Sequence, residues 1–248
     1  MRIAITQPTF LPWLGWFDII AQADELVFLD TVQFEKRSWQ QRNQIVTSEG
    51  LQMLTVPVLS KGRRGQAIHE VRLTETNPPE KLLKTLQINY ARAPYFKPVF
   101  EQLEDLIPRL FRTGRLIEVN EGLIDLLFRW LGVATPRVRA SHLNAFGDRG
   151  AYLAAICAER GADTYLSTRG AADYLREDLP HFRKRDVRVM LHKYEHPSYP
   201  QVSKPFTPFA SALDLVMMLG PESGEFLRAN RGSWTELVAM SDRGGACD

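Results

Sequence analysis

The sequence is poor in cysteine and has no long hydrophobic run. Cys157 and Cys247 are its only cysteines, and neither has a partner at metal-ligand spacing, which excludes a disulfide framework and a cysteine-based metal site. No stretch approaches the roughly 20 apolar residues that cross a bilayer. The first residues, MRIAIT, begin a strand pattern without a basic and apolar leader. These absences predict a cytoplasmic protein with no membrane segment.

The sequence also lacks the common catalytic motifs. It contains no HExxH, CxxC, GxSxG, GxGxxG or P-loop pattern, which disfavours a metal enzyme, a serine hydrolase or a dehydrogenase. No metal site is predicted. The 31 basic and 29 acidic residues give a formal net charge of +2, whereas domains dedicated to nucleic acids are strongly basic. DNA is therefore not an expected partner.

Alternating strand and helix patterns predict the fold class. Two short apolar runs, at residues 2–6 and 25–30, flank a helical pattern at 13–23, and this order forms a βαβ unit. Strand patterns return at 137–141, 163–167 and 187–192. We expect an α/β protein with an open, Rossmann-like, mostly parallel sheet, in which residues 163–167 join the strands of the first unit.

The middle of the chain has a different pattern. A polar segment at 33–43 precedes a strand pattern at 51–58, and the basic loop KGRRGQ leads to a run at 68–73 that favours a short strand. Three helical patterns at 80–90, 96–111 and 116–131 predict a helical insertion at about 78–132. No linker interrupts the chain, so residues 1–248 are interpreted as one domain.

The segment QPTFLPWLGWF follows the first predicted strand. In doubly wound sheets ligands bind beyond the carboxyl ends of the strands, so Gln7, Trp13 and Gly15 are candidate substrate-binding residues. Gln7 offers an amide donor and acceptor, and Gly15 permits close approach of a ligand to the start of the helix. The alternative is that Trp13, Trp16 and Phe17 are core residues that pack this helix against the sheet.

The segment EKRSWQQRN, residues 35–43, places basic side chains around an aromatic ring. An arginine can bind a phosphate or carboxylate bidentately, beside a base stacked on that ring. We predict a catalytic role for Lys36 and a substrate-binding role for the other candidates, which are Arg37, Trp39, Arg42 and Asn43. The alternative is an ordinary solvated charged face.

The segment YLSTRGAADYL, residues 165–175, carries a strand into a helix. Ser167, Thr168 and Arg169 stand at the end of the strand pattern, where hydroxyl groups and a guanidinium would resemble a phosphate-binding turn without forming a Walker A motif. We predict that they bind substrate. An ordinary capped turn between strand and helix is the alternative.

The segment YEHPSYPQ, residues 194–201, contains a histidine in a loop rich in tyrosine and proline. An unperturbed histidine titrates near neutrality and can act as a general acid or base. The other four histidines lie in patterns of helix, surface strand or turn, so His196 is the catalytic candidate, with Tyr199 and Gln201 as substrate-binding neighbours. Ser211 and Asp214 are interpreted as a helix N-cap and its capping partner.

Several of these blocks together resemble one protein family, the WbqC-like family. The resemblance rests on IAITQPTFLPWLGWFDIIAQADELVFLDTVQFEKRSWQQRNQI, LTVPV, YLSTRGAADYL, HPSYPQ and FASALDLVMMLG. These blocks are spread between residues 3 and 220, so the resemblance extends over nearly the whole chain. It implies an enzyme of bacterial O-antigen or other lipopolysaccharide biosynthesis. The implied activity is that of a transferase or amide-forming ligase that adds an amino-acyl group, such as glycyl, or another acyl group to an amino sugar or nucleotide-linked sugar.

A more distant resemblance concerns residues 12–16, PWLGW. They are similar to the Pro-x-His-x-Gly-His loop of nucleotidylyltransferases and class I aminoacyl-tRNA synthetases, with Trp13 and Trp16 in place of the histidines. This implies a first alternative, a nucleotidylyl or adenylyl transferase of the HUP-like type. A non-catalytic nucleotide-sugar-binding protein is the second.

The cofactor stays undetermined at this point, with ATP or a nucleotide-activated substrate as the candidates. The expected partner is a phosphorylated or nucleotide-linked small molecule, and neither a membrane nor DNA is expected. An aminoacyl-tRNA donor is left open, without support from particular residues.

Overall fold

The computed structural model describes residues 1–75 and 79–238. Cys247 and residue 78, the first position of the predicted helical insertion, lie outside this part of the chain. The strands are β1 (Arg2–Thr6), β2 (Glu25–Phe28), β3 (Arg42–Thr47), β4 (Gly50–Thr55), β5 (Arg137–Arg139), β6 (Thr164–Thr168), β7 (Arg188–Lys193) and β8 (Ser233–Glu236). The helices are α1 (Leu14–Ala21), α2 (Pro79–Tyr90), α3 (Phe96–Arg112), α4 (Leu116–Leu131), α5 (Arg149–Glu159), α6 (Ala172–Arg183), α7 (Ala212–Leu219) and α8 (Ser223–Ala229). Within the described residues, every helix is too short or too polar to cross a membrane.

Six strands form one sheet in the order β5-β2-β1-β6-β7-β8, and β3 and β4 form a separate hairpin. β1 pairs in parallel with β2 on one side and with β6 on the other. β2–β5 and β6–β7 are also parallel, while β8 is antiparallel to β7. The predicted βαβ unit, the inclusion of residues 163–167 and the Rossmann-like α/β class are confirmed.

Helices cover both faces of this sheet. Ile3 and Ile5 of β1 belong to the apolar cluster that α5 and α6 complete. Ala4, between them, belongs to the larger cluster that contains residues of α1, of helices α2–α4 and of α7. Because β1 and β2 are buried on both faces, their sequences contain continuous apolar runs rather than alternating ones. The same property made these strands recognisable in the sequence.

The order of the strands reverses between β1 and β6. From β1 the chain crosses over to β2 and then reaches β5 on one side, whereas β6 and β7 extend the sheet on the other side. In open α/β sheets the helices on either side of such a reversal diverge and leave a crevice at the carboxyl ends of the strands. The loops that follow β1 and β6 therefore border this crevice.

The run at residues 68–73 is not the expected strand. Ile68–Glu70 forms a single 3₁₀ turn, because one local hydrogen bond and one bond to a distant loop favour it over an extended chain. The Glu70 carboxylate accepts a hydrogen bond from the Ala67 N–H at 2.7 Å. The His69 N–H donates to the Asp30 carbonyl at 3.1 Å, which ties the turn to the end of β2.

Three elements were not expected from the sequence. β3 begins at Arg42, inside the polar segment at 33–43, because Ile45 and Val46 are both buried and stabilise the hairpin with β4. The other two, α8 and β8, follow the last predicted helix. β8 is short and largely exposed, so its sequence has no apolar pattern, and only its pairing with β7 defines it.

A buried asparagine fixes two loops at the carboxyl ends of the strands. Asn120 of α4 is fully buried, and its amide nitrogen donates to the Pro8 carbonyl at 2.9 Å and to the Gln40 carbonyl at 2.8 Å. These carbonyls belong to the loop after β1 and to the loop before β3. One side chain thus holds both loops against the helical layer.

Replacing Asn120 by alanine should destabilise the fold. Two buried carbonyls would lose their donors, and the cost of leaving such groups unpaired gives an expected loss of about 2–4 kcal/mol in the free energy of unfolding. Chemical denaturation of Asn120→Ala measures it. Asn144→Ala, at an exposed loop position, is the matched control, and an equal loss in both variants would contradict this role.

Candidate functional site

A cavity of about 230 Å³ lies at the carboxyl ends of β1 and β6, where the strand order reverses. We call it the central cavity. Its polar lining comes from the ends of these two strands, the loop after β1 and the start of α6, namely Thr6, Gln7, Thr9, Ser167, Thr168 and Tyr174. The predicted candidates Gln7, Ser167 and Thr168 are therefore brought together.

Two further cavities adjoin the central one. The α5–α6 cavity, of about 410 Å³, shares Leu29, Leu153 and Tyr174 with it. The aromatic cavity, of about 290 Å³, shares Thr9 and Trp16 with it. The rest of the α5–α6 cavity is lined by Val32, Arg149, Gly150, Tyr152, Glu177 and Asp178. The rest of the aromatic cavity is lined by Pro12, Trp13, Trp39, Asn43, Gln44 and Phe209. The three cavities lie in a row along this edge of the sheet, with the central cavity in the middle, and we call this row the groove.

The central cavity offers neutral hydrogen-bonding groups. The amide oxygen of Gln7 accepts from the amide nitrogen of Gln40 at 2.8 Å, which leaves the Gln7 nitrogen as a donor toward the cavity. Among the described residues, the hydroxyl groups of Thr9 and Thr168 have no hydrogen-bond partner. Neutral amide and hydroxyl groups of this kind match the hydroxyl and amide groups of a sugar.

The two tryptophans of the loop after β1 have different roles. Trp16 is buried against Phe17, Phe28 and Phe128, and its indole N–H donates to the Thr6 hydroxyl at 3.1 Å. This agrees with the interpretation of Trp16 as a core residue. Trp13 is half-buried and lines the aromatic cavity, where its ring can contact a ligand.

Gly15 makes room for a side chain of the protein. A Cβ atom at this position would lie 2.2 Å from the ring of Trp13, so any larger residue would displace that ring. Gly15 itself does not line the groove. It acts on the aromatic cavity through Trp13, and not by the direct approach of a ligand that the sequence suggested.

Asn43 lines the aromatic cavity and holds part of its wall in place. Its amide nitrogen donates to the carbonyls of Phe10 and Leu11 at 3.1 and 2.8 Å, and the side chain is buried. These bonds hold the loop after β1 on the hairpin. Asn43 therefore positions the loop, while Trp39, on the preceding loop, lines the same cavity and is 53% exposed.

The basic candidates lie in three separate places. Lys36 and Arg37 are exposed in the loop that carries Trp39, and Arg42 is half-buried at the start of β3. No ion pair joins any of them to another described residue. Arg169 lines a separate cavity of about 280 Å³ beside β7, because the 3₁₀ turn Arg169–Ala171 redirects the chain directly after Thr168.

His196 stands behind the aromatic cavity and does not line it. Its Nδ1 lies 3.1 Å from the Pro197 carbonyl, so Nδ1 donates and Nε2 carries the lone pair. Nε2 is buried without a partner among the described residues. The imidazole packs against the rings of Trp13 and Phe209, and burial lowers its pKa below the ordinary value. Burial therefore favours the neutral form of His196.

Tyr199 and Gln201 belong to a buried network and not to the groove lining. The Gln201 amide nitrogen donates to the Asp214 carboxylate at 2.9 Å, and its amide oxygen accepts from the Thr207 N–H at 2.8 Å. The Tyr90 hydroxyl donates to the other carboxylate oxygen at 2.8 Å. Burial raises the pKa of Asp214. This network fixes the loop that carries His196 and Phe209 to α2 and α7.

Ser211 is the N-cap of α7, as expected, since its hydroxyl accepts a hydrogen bond from the Leu213 N–H. Asp214 does not complete a capping box with it. The carboxylate of Asp214 binds Tyr90 and Gln201 instead, because α7 is buried and these two groups lie against its first turn.

Backbone strain is concentrated around the groove. Among the described residues, five that are not glycine have positive φ, and four of them belong to segments that border the groove: Leu11 (φ 44°), Arg37 (φ 64°), Arg149 (φ 47°) and Phe209 (φ 65°). Each such residue costs free energy, and strained residues cluster at functional sites. Within the described residues, no group of three His, Cys, Asp or Glu side chains is placed to hold a metal ion.

Several groove residues were not selected from the sequence. Thr9, Tyr174 and Phe209 lie in the segments QPTFLPWLGWF, YLSTRGAADYL and FASALDLVMMLG, respectively. Their side chains carry no charge or motif that would single them out. Glu177 and Asp178 lie on α6, where acidic residues are common on exposed faces. The position of these sequence blocks at the ends of strands indicated where the groove lies. The chemistry of the individual side chains did not indicate which residues line it.

The fold and the groove define an α/β protein of Rossmann-like topology with a cavity at the reversal of strand order. The model of the WbqC-like protein family matches residues 7–226, so the chain belongs to that family. Uncharacterized protein Rv1507c of Mycobacterium tuberculosis (strain ATCC 25618 / H37Rv) is 32% identical over 228 residues, which are 92% of this chain and 97% of that protein. No solved structure matches the chain.

The neutral state of His196 should appear in the pH dependence of stability. Because burial lowers the folded-state pKa of His196, the unfolded chain takes up a proton more readily as the pH falls through about 6.5. His196 therefore contributes a loss of stability below that pH. We expect His196→Gln to lose less stability than the wild type between pH 7.5 and 5.5, measured by chemical denaturation. His181→Gln, at an exposed position, is the control, and equal pH slopes in wild type and His196→Gln would contradict the burial.

Proposed function

We propose that the chain is a transferase or amide-forming ligase that adds an amino-acyl group, such as glycyl, to an amino sugar or nucleotide-linked sugar of a bacterial surface polysaccharide. The observation that carries this proposal is the union of three cavities with different linings in one groove. A reaction between two substrates requires two adjoining subsites that meet at one point. The family resemblance supplies the expected reaction class.

The central cavity is the natural place for the sugar. Its free groups, the Gln7 amide nitrogen and the hydroxyls of Thr9 and Thr168, are neutral and suit sugar hydroxyls. We assign the nucleotide part of a nucleotide-linked sugar to the α5–α6 cavity, where the rings of Tyr152 and Tyr174 can contact a base and Arg149 can bind a phosphate. The carboxylates of Glu177 and Asp178, which line the same cavity, can accept hydrogen bonds from ribose hydroxyls or from the base. The aromatic cavity is left for the acyl donor.

The reaction itself needs one proton acceptor. The amine of the sugar attacks the activated carbonyl carbon, the new C–N bond forms, the bond from that carbon to the leaving oxygen breaks, and the amine loses a proton. A neutral imidazole can accept that proton. Burial lowers the pKa of His196, and in this proposal the imidazole accepts the proton through Nε2.

Nucleotidylyl transfer is less well supported by the same geometry. The histidines of the similar loop are replaced by Trp13 and Trp16, and the Trp16 N–H is already bound to Thr6. Neither ring can donate to a phosphate as an imidazolium does. A non-catalytic binding protein would use the same cavities, and an assay for product separates it from an enzyme.

Transfer is tested by mass spectrometry of the sugar. We expect a mass gain on a UDP- or dTDP-linked amino sugar after incubation with glycine and ATP or with an activated glycyl donor. Thr168→Val removes a hydroxyl from the central cavity and should raise the KM for the sugar by about 3- to 10-fold, the effect of one hydrogen bond. Thr85→Val on α2, outside the groove, is the matched control. If no donor yields a modified sugar while the sugar still binds, the chain is a binding protein.

The catalytic roles of His196 and Lys36 have a separate test. Loss of a general base should lower turnover by about 10²–10⁴, so His196→Gln should show a decrease of this size with little change in KM. Lys36→Met should also lower turnover, because it removes the ammonium group to which we assign a catalytic role. His181→Gln and Lys184→Met, both at exposed positions, are the controls. Turnover equal to wild type in a folded variant excludes that residue from catalysis.

A further inference from the structure

Positive charge is concentrated in two short segments of the chain. Residues 33–42 and 59–66 contain six basic residues and one acidic residue, so together they carry a net charge of +5. The formal net charge of the whole chain is +2, which leaves the rest of the sequence at −3. The near-neutral total therefore conceals a local excess of positive charge.

The fold brings the two segments together. Gln33 and Ala67 form an antiparallel bridge, and the Phe34 N–H donates to the Gln66 carbonyl at 2.9 Å. In an antiparallel pair, the residues that follow one strand lie at the same end as those that precede the other. The loop that begins at residue 35 and the loop that ends at residue 65 consequently lie side by side.

The basic side chains of these loops are free. We call the set the basic face, and it consists of Lys36, Arg37, Lys61, Arg63 and Arg64. All five residues are exposed. Within the part of the chain that the structure describes, none of their side chains makes an ion pair or a hydrogen bond. Their charge is therefore available to a partner.

The basic face continues into the groove. Trp39 lies on the same loop as Lys36 and Arg37, is 53% exposed and lines the aromatic cavity opposite Trp13 and Phe209. The next residue, Gln40, is bound to Gln7 in the central cavity at 2.8 Å. A polyanion on the basic face would thus have aromatic rings within its reach, directly before the proposed sugar site.

We propose that the basic face and the aromatic cavity bind the single-stranded end of an RNA. Proteins that bind single strands combine a positive surface that follows the phosphates with aromatic side chains on which bases stack. A single diphosphate would engage only part of the face, whereas a nucleic acid supplies one phosphate per nucleotide along it. An anionic membrane fits less well, because Trp39 and Phe209 line a concave cavity and do not form an apolar projection.

This inference also names the donor, and that part rests on the proposed function. An acyl group carried as an ester on the terminal ribose of an RNA is already activated. Attack by the amine of the sugar forms the C–N bond and breaks the ester C–O bond, and the ribose hydroxyl leaves with the proton that the amine loses. The step balances without ATP.

Binding is tested by fluorescence anisotropy with a labelled single-stranded RNA of about ten nucleotides, within the range of known single-strand sites. The wild type should bind with an affinity that falls as salt rises. The triple variant Lys61→Ala, Arg63→Ala, Arg64→Ala should bind at least tenfold more weakly. Its slope of log affinity against log salt should be shallower by about 2, since each lost phosphate contact removes about 0.7.

Two further variants define the site. Trp39→Ala should weaken binding by about tenfold, the effect of one lost base stack, and leave the salt slope unchanged. The triple variant Arg183→Ala, Lys184→Ala, Arg185→Ala removes three exposed cations at the end of α6, on the opposite edge of the sheet, and should bind as the wild type does. Equal weakening by both triple variants would overturn the proposal.

Other ligands give the contrary outcomes. Binding to phosphatidylglycerol vesicles but not to RNA, or equal binding of single-stranded and duplex RNA with no effect of Trp39→Ala, would also overturn it.

Transfer assays separate the two proposals. Suppose that glycine and ATP support glycyl transfer without RNA, and that the triple variant of Lys61, Arg63 and Arg64 transfers as well as the wild type does. The RNA carrier is then excluded and the transferase remains. If RNA binds as expected but no donor supports transfer, the binding face remains and the transferase is excluded.

Discussion

The parallel pairing of β1 with β2 on one side and β6 on the other is the constraint on which the rest of the molecule depends. A parallel strand ends at the same edge as its neighbours, so every loop that leaves β1, β2 or β6 meets at one edge. The reversal of strand order beside β1 then leaves space between those loops. The hairpin, which lies between β2 and β5 in the chain, supplies Asn43 and Gln44 to the wall of the aromatic cavity.

Buried amides decide which polar side chains remain for a ligand. The amide nitrogens of Asn120 and Asn43 donate to loop carbonyls. In Gln201 the amide nitrogen donates and the amide oxygen accepts. Gln7 keeps its amide nitrogen because only its oxygen is engaged. The separation of committed from free groups gives the groove a rigid frame with a few available donors, and such preorganisation lowers the cost of binding.

The fold could be predicted from the sequence because buried parallel strands are continuous apolar runs, as in Ile3–Ile5. The edge of the sheet that holds the groove was predictable for the same reason, and Gln7 and Thr168 follow from it. Arg169 and Gln201 could not be placed, because a single 3₁₀ turn redirects the first and Asp214, on another element, engages the second. β8 was not recognisable because only its pairing with β7 defines it.

Four non-glycine residues with left-handed backbone surround the groove, and their side chains have a thermodynamic consequence. Glycine would adopt these conformations at lower cost, so the protein retains Leu11, Arg37, Arg149 and Phe209 at the expense of its own stability. Such conformations persist only where the surrounding structure determines them. The shape of the groove is therefore set by the packing around these four residues, and not by the local backbone preferences of its loops.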